Sequence, residues 1–341
     1  MTVKNEDNIF RLSSSLLGVE QARHMLTLLE PMVRDEYADC NQISRAQFAS
    51  AMNVVLFADI MDRVPPARTY VEDVERDGGR ICFDHGALRT VCLTEGSTGT
   101  LPRGEKAFRR LLEPMGYEEA AIYPLPALRM TGHAYCHKDH PESMPQFFVS
   151  ELHVEKFDEE FAQAADRVFG TSRDPVDAPA LEALAVLERK ESLPFDVAAE
   201  TLRTVVSAFD RHHERPMLSD YEILKASSGE AAWIATEGNA FNHATDRVPD
   251  VFALAEAQKR LGRPMKDKVE CSQNGRVCQT AFRAETVERR FGIPGADDYL
   301  MAVPGSFHEF ITRKVDPETG RLDLTFDAGN ATAIFHMTRA A

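Results

Sequence analysis

Apolar residues near the amino terminus recur at the spacing of amphipathic helices in two segments, residues 18–37 and 45–64. Pro65-Pro66 follows the second segment directly. Because proline lacks an amide donor and blocks the continuation of a helix, we expect this pair to close the region. The pattern predicts a helical cap over residues 1–77.

After Gly78-Gly79 the pattern changes to that of strands. Residues Ile81 to Cys92 are rich in strand-forming side chains, and a helical stretch from Gly104 to Glu113 follows them. Three more strand-like segments come next, namely Tyr117–Tyr123, Leu128–Cys136 and Phe147–Val154. Residues 80–157 therefore predict one β-α-β-β-β unit.

A second unit of the same order is predicted beyond a helical insertion at residues 158–228, for which Asp158 is the expected N-cap. In residues 231–341 the segment Ala232–Arg247 is interpreted as a strand, and a helix follows from about Asp250 to Leu261. The remaining predicted elements are the strands Lys268–Ser272, Val277–Arg283 and Ser306–Val315, a strand or turn at Glu285–Gly292, and a closing helix at Asn330–Thr338. We predict an α+β fold in a single domain, residues 1–341, in which two βαβββ units form a curved mixed sheet wrapped by the amino-terminal and inserted helices.

The two units share a short motif. The pattern H-x-x-x-R places His85 and Arg89 on the first strand of unit one, and His243 and Arg247 on the first strand of unit two. The offset between the motifs is 158 residues, and the same offset relates Glu151 and Glu309 in the last strands of the two units. This shared register predicts that the two units are structural repeats, and that Glu151 faces the same cavity as Glu309.

Two histidines and one carboxylate on a shared sheet predict a metal site. His85, His243 and Glu309 form the set known as a facial triad, which leaves positions open for other ligands and suits non-haem Fe(II), although Zn²⁺ or Mn²⁺ also accept these donors. Arg89 shares a strand face with His85, roughly 13 Å further along at ~3.3 Å per residue. That separation suits a ligand held by the metal at one end and by an arginine at the other.

Composition excludes several classes of protein. The 341 residues carry a formal net charge of −15, which argues against a nucleic-acid binder because phosphate binding requires clustered cations. No apolar run is long enough to span a membrane. The segment Ser13 to Leu17 is too short and polar for a signal peptide, and the six cysteines show no disulfide-framework spacing. We therefore expect a cytoplasmic protein with free thiols.

Three segments of the sequence together resemble a known family. The first combines Phe83-Asp84-His85-Gly86-Ala87-Leu88-Arg89-Thr90-Val91 with Leu101-Pro102-Arg103-Gly104-Glu105. The others are Asn239-Ala240-Phe241-Asn242-His243-Ala244-Thr245 and Pro304-Gly305-Ser306-Phe307-His308-Glu309-Phe310. They resemble the 2-oxoadipate dioxygenase/decarboxylase family, which is related to the glyoxalase, or vicinal-oxygen-chelate, superfamily. The resemblance runs from about residue 20 to residue 338.

This resemblance implies a glyoxalase-like sheet around Fe(II) held by His85, His243 and Glu309, with Arg89 as the arginine that grips the substrate. It implies an oxidoreductase that takes a 2-oxo acid and O₂, decarboxylates and hydroxylates in one turnover, and in the best-known case converts 2-oxoadipate to 2-hydroxyglutarate and CO₂. Some members carry a longer carboxy-terminal region that helps to close the substrate pocket, so another 2-oxo acid remains open for this chain.

Several residues have less direct predicted roles. Arg247 is either a substrate contact or a buried partner of the site, and Gln279 is expected to line the pocket. His308 could compete with Glu309, but adjacent strand residues face opposite ways, so only one of them can reach the metal. The histidines at positions 133, 137, 140 and 153 are predicted to form a solvated strand end.

Two other function classes remain open. A glyoxalase-type lyase or isomerase using Zn²⁺, Ni²⁺ or Mn²⁺ without oxygen would be expected to need a fourth protein ligand, and Glu151 is the candidate. A non-catalytic binding protein on the same scaffold would be expected to lack the triad. For a dioxygenase we predict that Glu151 lies near the metal without coordinating it.

Overall fold

The computed structural model describes residues 8–33 and 41–327, and its amino-terminal part is helical. The described helices of this part are α1 (Asn8–Leu17), α2 (Val19–Leu28), α3 (Arg45–Arg63) and α4 (Pro65–Arg76). Both predicted helices are present, as α3 and as α2, although α2 ends at Leu28, before the predicted end. The expectation that Pro65-Pro66 closes the helical region is wrong. Proline is tolerated in the first turn of a helix, where an amide would have no partner, so the pair ends α3 and begins α4. The predicted closing helix, Asn330–Thr338, lies outside the described residues.

Both predicted repeat units are present. Unit one consists of β2 (Phe83–Cys92), α5 (Lys106–Leu112), β3 (Tyr117–Leu125), β4 (Met130–His137) and β5 (Gln146–His153). Unit two consists of β7 (His243–Arg247), α11 (Val251–Arg260), β8 (Glu270–Cys271), β9 (Val277–Ala281), the hairpin β10 (Thr286–Phe291) and β11 (Tyr299–Pro304), and β12 (Phe307–Arg313). Between them lie the helices α6 (Glu159–Phe169), α7 (Ala178–Lys190), α8 (Phe195–Ser207), α9 (Leu218–Ser227) and α10 (Gly229–Glu237), and a short strand β6 (Ser192–Pro194) that pairs with β1 (Gln42–Ser44).

One mixed sheet of eight strands joins the two units, in the order β3-β4-β5-β2-β7-β12-β9-β8. Its centre is the antiparallel pair of β2 and β7, in which His85 lies opposite Thr245 and Ala87 lies opposite His243. Outside this pair the arrangement is mirrored, since β2 pairs with β5 and β7 pairs with β12, both in parallel. This is the pattern of two repeats related by a pseudo-twofold axis, and it confirms the predicted α+β fold class.

One local prediction in this region was wrong, and one strand was not predicted. Ala232–Arg247 was predicted as one strand, but its first part belongs to α10, which Ser228 caps at Ala231 N, and only His243–Arg247 forms β7. Every residue of α10 after Gly229 is buried, so the helix has no solvent-exposed face and its sequence resembles that of a buried strand. The strand β11 was not predicted, and the ambiguous segment Glu285–Gly292 contains its partner β10.

The sheet has two faces with different coverings. We call the face that carries Leu88, Val149 and Phe310 the cap face, because these residues share one hydrophobic core with α1, α2, α3 and α4. We call the face that carries His85, Ala87 and Glu309 the site face. A second core covers one end of the site face with α6, α9 and α10, and the remainder of that face forms a cavity.

Two of the cysteines do not agree with the prediction that all six are free thiols. Cys271 and Cys278 lie opposite each other in the antiparallel pair of β8 and β9 and form a disulfide. The antiparallel pairing of β8 with β9 brings these two residues together, and the spacing of cysteines in the sequence did not indicate it. Cys82, Cys92 and Cys136 are free, and Cys40 lies outside the described residues.

Candidate metal centre

His85 is placed by an irregularity in β2. The pairing of β2 with β7 shifts register between Phe83 and His85, as at a β-bulge. His85 Nδ1 lies 2.8 Å from Asp84 Oδ1, to which it donates a hydrogen bond. The next residue is a glycine for a steric reason, because a Cβ at Gly86 would lie 2.3 Å from the Phe241 ring. The sequence Asp84-His85-Gly86 thus fixes one imidazole and packs the strand tightly beneath it.

His243 is the first residue of β7, and its Nδ1 lies 3.0 Å from the side-chain nitrogen of Asn242. The Asn242 oxygen is buried and has no hydrogen-bond partner among the described residues. Rotation of this amide by half a turn brings the oxygen to His243 Nδ1, where it can accept a hydrogen bond. That tautomer leaves His243 Nε2 with a lone pair available for a metal.

Glu309 joins the two histidines through the parallel pairing of β12 with β7, in which it lies beside Thr245. Its Oε2 lies 3.0 Å from His243 Nε2 and 3.7 Å from His85 Nε2. Thr245 Oγ1 lies between the groups, 3.2 Å from Glu309 Oε2 and 3.1 Å from His85 Nε2. The structure therefore brings together the three predicted ligands.

Burial and charge set the ionisation of this group. Burial acts to raise the pKa of Glu309, but His243 and His85 outweigh it and hold that pKa at about 2. Burial lowers the pKa of His243, and the charges of His85 and Arg89 act in the same direction. For His85 burial acts to lower the pKa, but Asp84 and Glu309 raise it overall. The carboxylate is thus anionic in the interior, where an unpaired charge is costly and a cation stabilises it.

The residues fit a divalent metal ion. The ligand atoms of His85, His243 and Glu309 lie within 4.8 Å of one another, and all three residues are buried. Glu309 Oε1 is also buried and has no hydrogen-bond partner among the described residues. Two imidazoles and one carboxylate form a donor set suited to Fe(II), Zn²⁺ or Mn²⁺. A metal would give this buried carboxylate oxygen a partner.

A cavity opens beside this group, with about 440 Å³ of space between protein atoms, part of which is open to solvent. Gln279 lines it, and this residue shares the site face with Glu309. The other lining residues are His85, Ala87, Phe148, Ser150, Asn242, His243, Glu309, Phe326 and Asp327. Gln279 therefore lines the same cavity as the three candidate ligands.

Arg89 lies on the site face but beyond the cavity lining. It pairs in register with Ser150, which lines the cavity, and its side chain is fully buried. Its guanidinium carbon lies 4.9 Å above the Trp233 ring. Burial lowers the pKa of Arg89 to about 10, opposed by the charge of Glu230, so the side chain is cationic at neutral pH. The structure places a buried positive charge beside Ser150, which lines the cavity.

Arg247 lies away from the cavity. Its Nη2 donates to the backbone oxygen of Glu142 at 2.7 Å and contacts the Cys82 sulfur at 3.0 Å. Its Nε lies 3.8 Å from Asp84 Oδ2. These contacts match the second of the two predicted roles, a partly buried neighbour of the site, since Asp84 is the residue that holds His85.

The register argument for Glu151 was wrong. Glu309 lies beside Thr245, two residues after His243, and the corresponding residue two after His85 is Ala87. Ala87 lies beside Phe148 in the pairing of β2 with β5. Phe148 is therefore the counterpart of Glu309, and Glu151 is displaced from it by three residues. Because three is an odd number, Glu151 points to the cap face.

On the cap face, Glu151 belongs to a separate polar cluster. Its Oε2 accepts from Glu105 N at 3.0 Å and from the Cys92 thiol at 3.1 Å, and its Oε1 lies 3.4 Å from His133 Nε2. The four histidines of this strand end were predicted to be solvated, but the His133 side chain is only 11% exposed and His137 is fully buried. The cluster ties the loop before α5 to the sheet.

Replacing Glu151 by glutamine is expected to lower the free energy of unfolding by about 1–3 kcal/mol, because the charge of a hydrogen-bond acceptor whose side chain is only 17% exposed is lost. The metal content should stay equal to that of the wild type, since Glu151 faces away from the triad. Denaturant unfolding and metal analysis of the same sample test both parts. A Glu151 variant that folds normally but loses metal would return this residue to the site.

Sequence reasoning missed several residues around the site. Phe148 and Ser150 lie an odd number of residues before Glu151 and therefore face the opposite side of the sheet. With the correct strand register, the sequence would have placed both on the site face. Phe326 and Asp327 lie in an irregular segment that carries no motif, and Arg313, which binds Asp84, is 229 residues from it in the sequence. Of these contacts, the sequence alone showed only that Asp84 is adjacent to His85.

Solved structures of other proteins share this architecture. A glyoxalase superfamily protein from Ralstonia eutropha JMP134 is 51% identical to the chain, with a TM-score of 0.89, and the alignment covers 96% of this chain and 100% of that one. The hydroxyglutarate synthase of Oryza sativa, solved in complex with 2-oxoadipate, is 20% identical with a TM-score of 0.65, over 90% of this chain and 98% of that one. The fold is that of the glyoxalase superfamily, as predicted.

The sequence comparison identifies the family. Residues 41–323 match the 2-oxoadipate dioxygenase/decarboxylase family. The chain is also 24% identical to the chloroplastic/amyloplastic 2-oxoadipate dioxygenase/decarboxylase of Oryza sativa subsp. japonica over 307 residues, which are 82% of this chain and 75% of the relative. The chain belongs to the 2-oxoadipate dioxygenase/decarboxylase family. This is a family of enzymes, so the predicted resemblance and the prediction of an enzyme are both confirmed.

None of the helices in the part of the chain that the structure describes is both long and apolar enough to cross a lipid bilayer.

Proposed function

We propose that this protein is an Fe(II)-dependent dioxygenase that decarboxylates and hydroxylates a 2-oxo acid, with a dicarboxylic acid such as 2-oxoadipate as substrate. The reaction consumes one O₂ and gives CO₂ and a 2-hydroxy acid shorter by one carbon. The observation that carries the proposal is the buried group of His85, His243 and Glu309 at the wall of a small cavity. Membership of the family supports the reaction type.

His85 Nε2, His243 Nε2 and a Glu309 carboxylate oxygen would hold the iron. When bound, iron would supply the Lewis acid for the 2-oxo acid and the redox chemistry with O₂. Asp84 and Asn242 hold the Nδ1 sides of the two rings, which directs both Nε2 atoms toward Glu309. These three donors would hold the ion, and a donor set of this kind would leave coordination positions for substrate and oxygen.

The remaining cavity residues divide into two groups by chemistry. Phe148, Phe326 and Ala87 form apolar walls that exclude water from the reacting atoms. Ser150 and Gln279 offer hydrogen bonds to substrate oxygens. In this arrangement the polar side chains orient the acid, and the aromatic walls limit its width.

The distal end of the substrate would be sensed by Arg89. A dicarboxylic acid bound at the metal through its 2-oxo end extends along β2 toward this residue, roughly 13 Å from His85 by strand spacing. The charge of Arg89 contributes to the lowered pKa of His243, so its electrostatic field reaches the candidate metal ligands. A second carboxylate would be stabilised by this charge, and a neutral substrate end would not.

The position of Glu151 bears on the lyase alternative. A lyase was expected to recruit Glu151 as a fourth ligand, but this residue faces the cap side of the sheet. Among the described residues, the group at the cavity that could hold a metal ion consists of two imidazoles and one carboxylate. That set favours an enzyme that keeps positions open for both a chelating acid and O₂ over a lyase.

Protein purified without oxygen and loaded with Fe(II) is expected to consume O₂ and release CO₂ in equal amounts with a 2-oxo dicarboxylic acid. Under labelled O₂, both oxygen atoms should appear in the 2-hydroxy acid, because one enters its new carboxylate and the other its hydroxyl group. Oxygen electrode readings and mass spectrometry of the product test this.

The matched comparison is the same preparation loaded with Zn²⁺, which cannot change its redox state and should give no oxygen uptake. Equal turnover by the zinc form under nitrogen would contradict the proposal and favour the lyase. A panel of mono- and dicarboxylic 2-oxo acids would then identify the preferred chain length.

A further inference from the structure

Arg313, at the end of β12, makes an unusually complete set of contacts with the residue that holds His85. Its Nε donates to both carboxylate oxygens of Asp84, at 3.1 and 3.0 Å, and its Nη2 donates to Asp84 Oδ1 at 2.9 Å. The Arg313 side chain is 0% exposed and that of Asp84 is 2% exposed. Such a buried forked contact fixes the position of both side chains.

The remaining nitrogen of Arg313 binds a different part of the chain. Its Nη1 donates to the backbone oxygens of Asp323 at 3.0 Å and Thr325 at 2.8 Å. We call residues 323–327 the roof segment, because Phe326 and Asp327 line the cavity. One guanidinium thus binds the support of a candidate metal ligand with one edge and the cavity roof with another.

The roof segment also contacts the site directly. The Phe326 ring lies 4.9 Å from the His85 ring, nearly perpendicular to it, and the Arg313 guanidinium carbon lies 5.2 Å above Phe326. Phe326 N donates to the Tyr123 hydroxyl at 3.0 Å. Gln146 donates to the backbone oxygen of Leu324 at 3.2 Å. Apart from Arg313, these contacts attach the roof to β3 and β5 of the other unit.

We propose that Arg313 is a positioning residue that couples the order of the roof segment to the orientation of His85, so that metal binding orders the roof and an ordered roof tightens metal binding. This proposal rests on the proposed metal site but not on the identity of the reaction. Arg313 holds Asp84, Asp84 holds His85, and Arg313 is itself oriented by the two roof carbonyls. Because such coupling is reciprocal, each site must favour the other by the same factor.

The test measures metal binding and hydrogen exchange without turnover. Calorimetric titration with Mn²⁺ under nitrogen gives the metal affinity, and amide exchange of the peptide covering residues 323–327 reports the order of the roof. In the wild type, added Mn²⁺ should slow exchange in this peptide. In Arg313→Met the metal should bind about 10–100-fold more weakly, as is usual when a supporting residue of a ligand is removed, and metal should no longer slow exchange there.

A matched arginine provides the control. Arg276 Nε donates to Asp323 Oδ2 at 2.7 Å, so it binds the same roof segment, but among the described residues its ion pairs are with Asp323 and Asp316 and not with Asp84. Arg276→Met should speed exchange in the roof while leaving both the metal affinity and the slowing of exchange by metal in place. Arg313→Lys retains the charge beside Asp84 but cannot fork to both partners, so it should recover part of the affinity without the coupling.

A milder variant guards against loss of folding. Tyr123→Phe removes only the hydroxyl that binds Phe326 N, and it should weaken metal binding in the wild type but not in an Arg313→Met background. If Mn²⁺ slows roof exchange equally in wild type and Arg313→Met, the coupling proposal is wrong even if the enzyme is a dioxygenase. Coupling without oxygen uptake would instead contradict only the proposed function.

Discussion

Glu309→Gln is expected to lower metal affinity by more than about 100-fold, beyond the usual effect of losing a residue that merely supports a ligand. The substitution keeps the size of the side chain but removes the one anionic donor of the group. Two imidazoles would then face a 2+ ion in a buried site without a compensating charge. Metal analysis after gel filtration, with far-ultraviolet circular dichroism as the measure of folding, tests this directly.

The neighbouring residue provides the control for this experiment. His308 is fully buried on the cap face, where burial lowers its pKa to about 3 and keeps the ring neutral. Its ring packs against Tyr70 and Phe310. His308→Phe should therefore retain full metal content, whereas His85→Ala and His243→Ala should lose it. Retention of metal by Glu309→Gln together with its loss in His308→Phe would reverse the assignment of these two positions.

The order of the elements could be predicted because the sequence expresses it locally. Strand-like segments alternate with punctuating glycine and proline, and Asp158 forms the expected N-cap by accepting from Phe161 N. The histidine pair was also predictable, since β2 and β7 meet about the pseudo-twofold axis and each contributes the same short motif. Local pattern and internal repetition were sufficient for these features.

The position of Glu151 could not be predicted from a constant offset. The path from Thr245 to Glu309 is three residues longer than the path from Ala87 to Phe148, because unit two carries the β10–β11 hairpin and has other loop lengths. An offset measured on the first strands therefore no longer applies on the last strands. Side chains along a strand alternate between the two faces of the sheet, so a difference of three residues places Glu151 on the cap face instead of the predicted site face.

The roof segment is a different kind of omission. Residues 323–327 have no regular secondary structure, and their contacts are made with residues far away in the sequence, such as Tyr123 and Gln146. No periodicity or spacing reports contacts of this kind. The walls of the cavity follow from strand parity, whereas its roof requires the three-dimensional structure.

Arg89→Met is expected to raise KM for dicarboxylic 2-oxo acids by about tenfold or more, and to change KM for monocarboxylic ones little. The metal would hold the 2-oxo end of either substrate. Only the binding of the distal carboxylate would then depend on the positive charge of Arg89, which lies beside Ser150. Steady-state kinetics with a dicarboxylic and a monocarboxylic acid of equal chain length measure the difference. Arg89→Lys keeps the charge and should show a smaller effect.

The charge beside Arg89 allows a test in the opposite direction. Glu230 is 1% exposed, and its charge acts on Arg89 and offsets part of its field. Glu230→Gln keeps the shape of that side chain but removes the negative charge, so KM for the dicarboxylic acid should fall while that for the monocarboxylic acid stays constant. Opposite shifts in the two variants require an electrostatic role, because damage to the fold would raise both constants in both variants. If Arg89→Met impairs the two substrate classes equally, Arg89 supports the packing of Trp233 rather than substrate recognition.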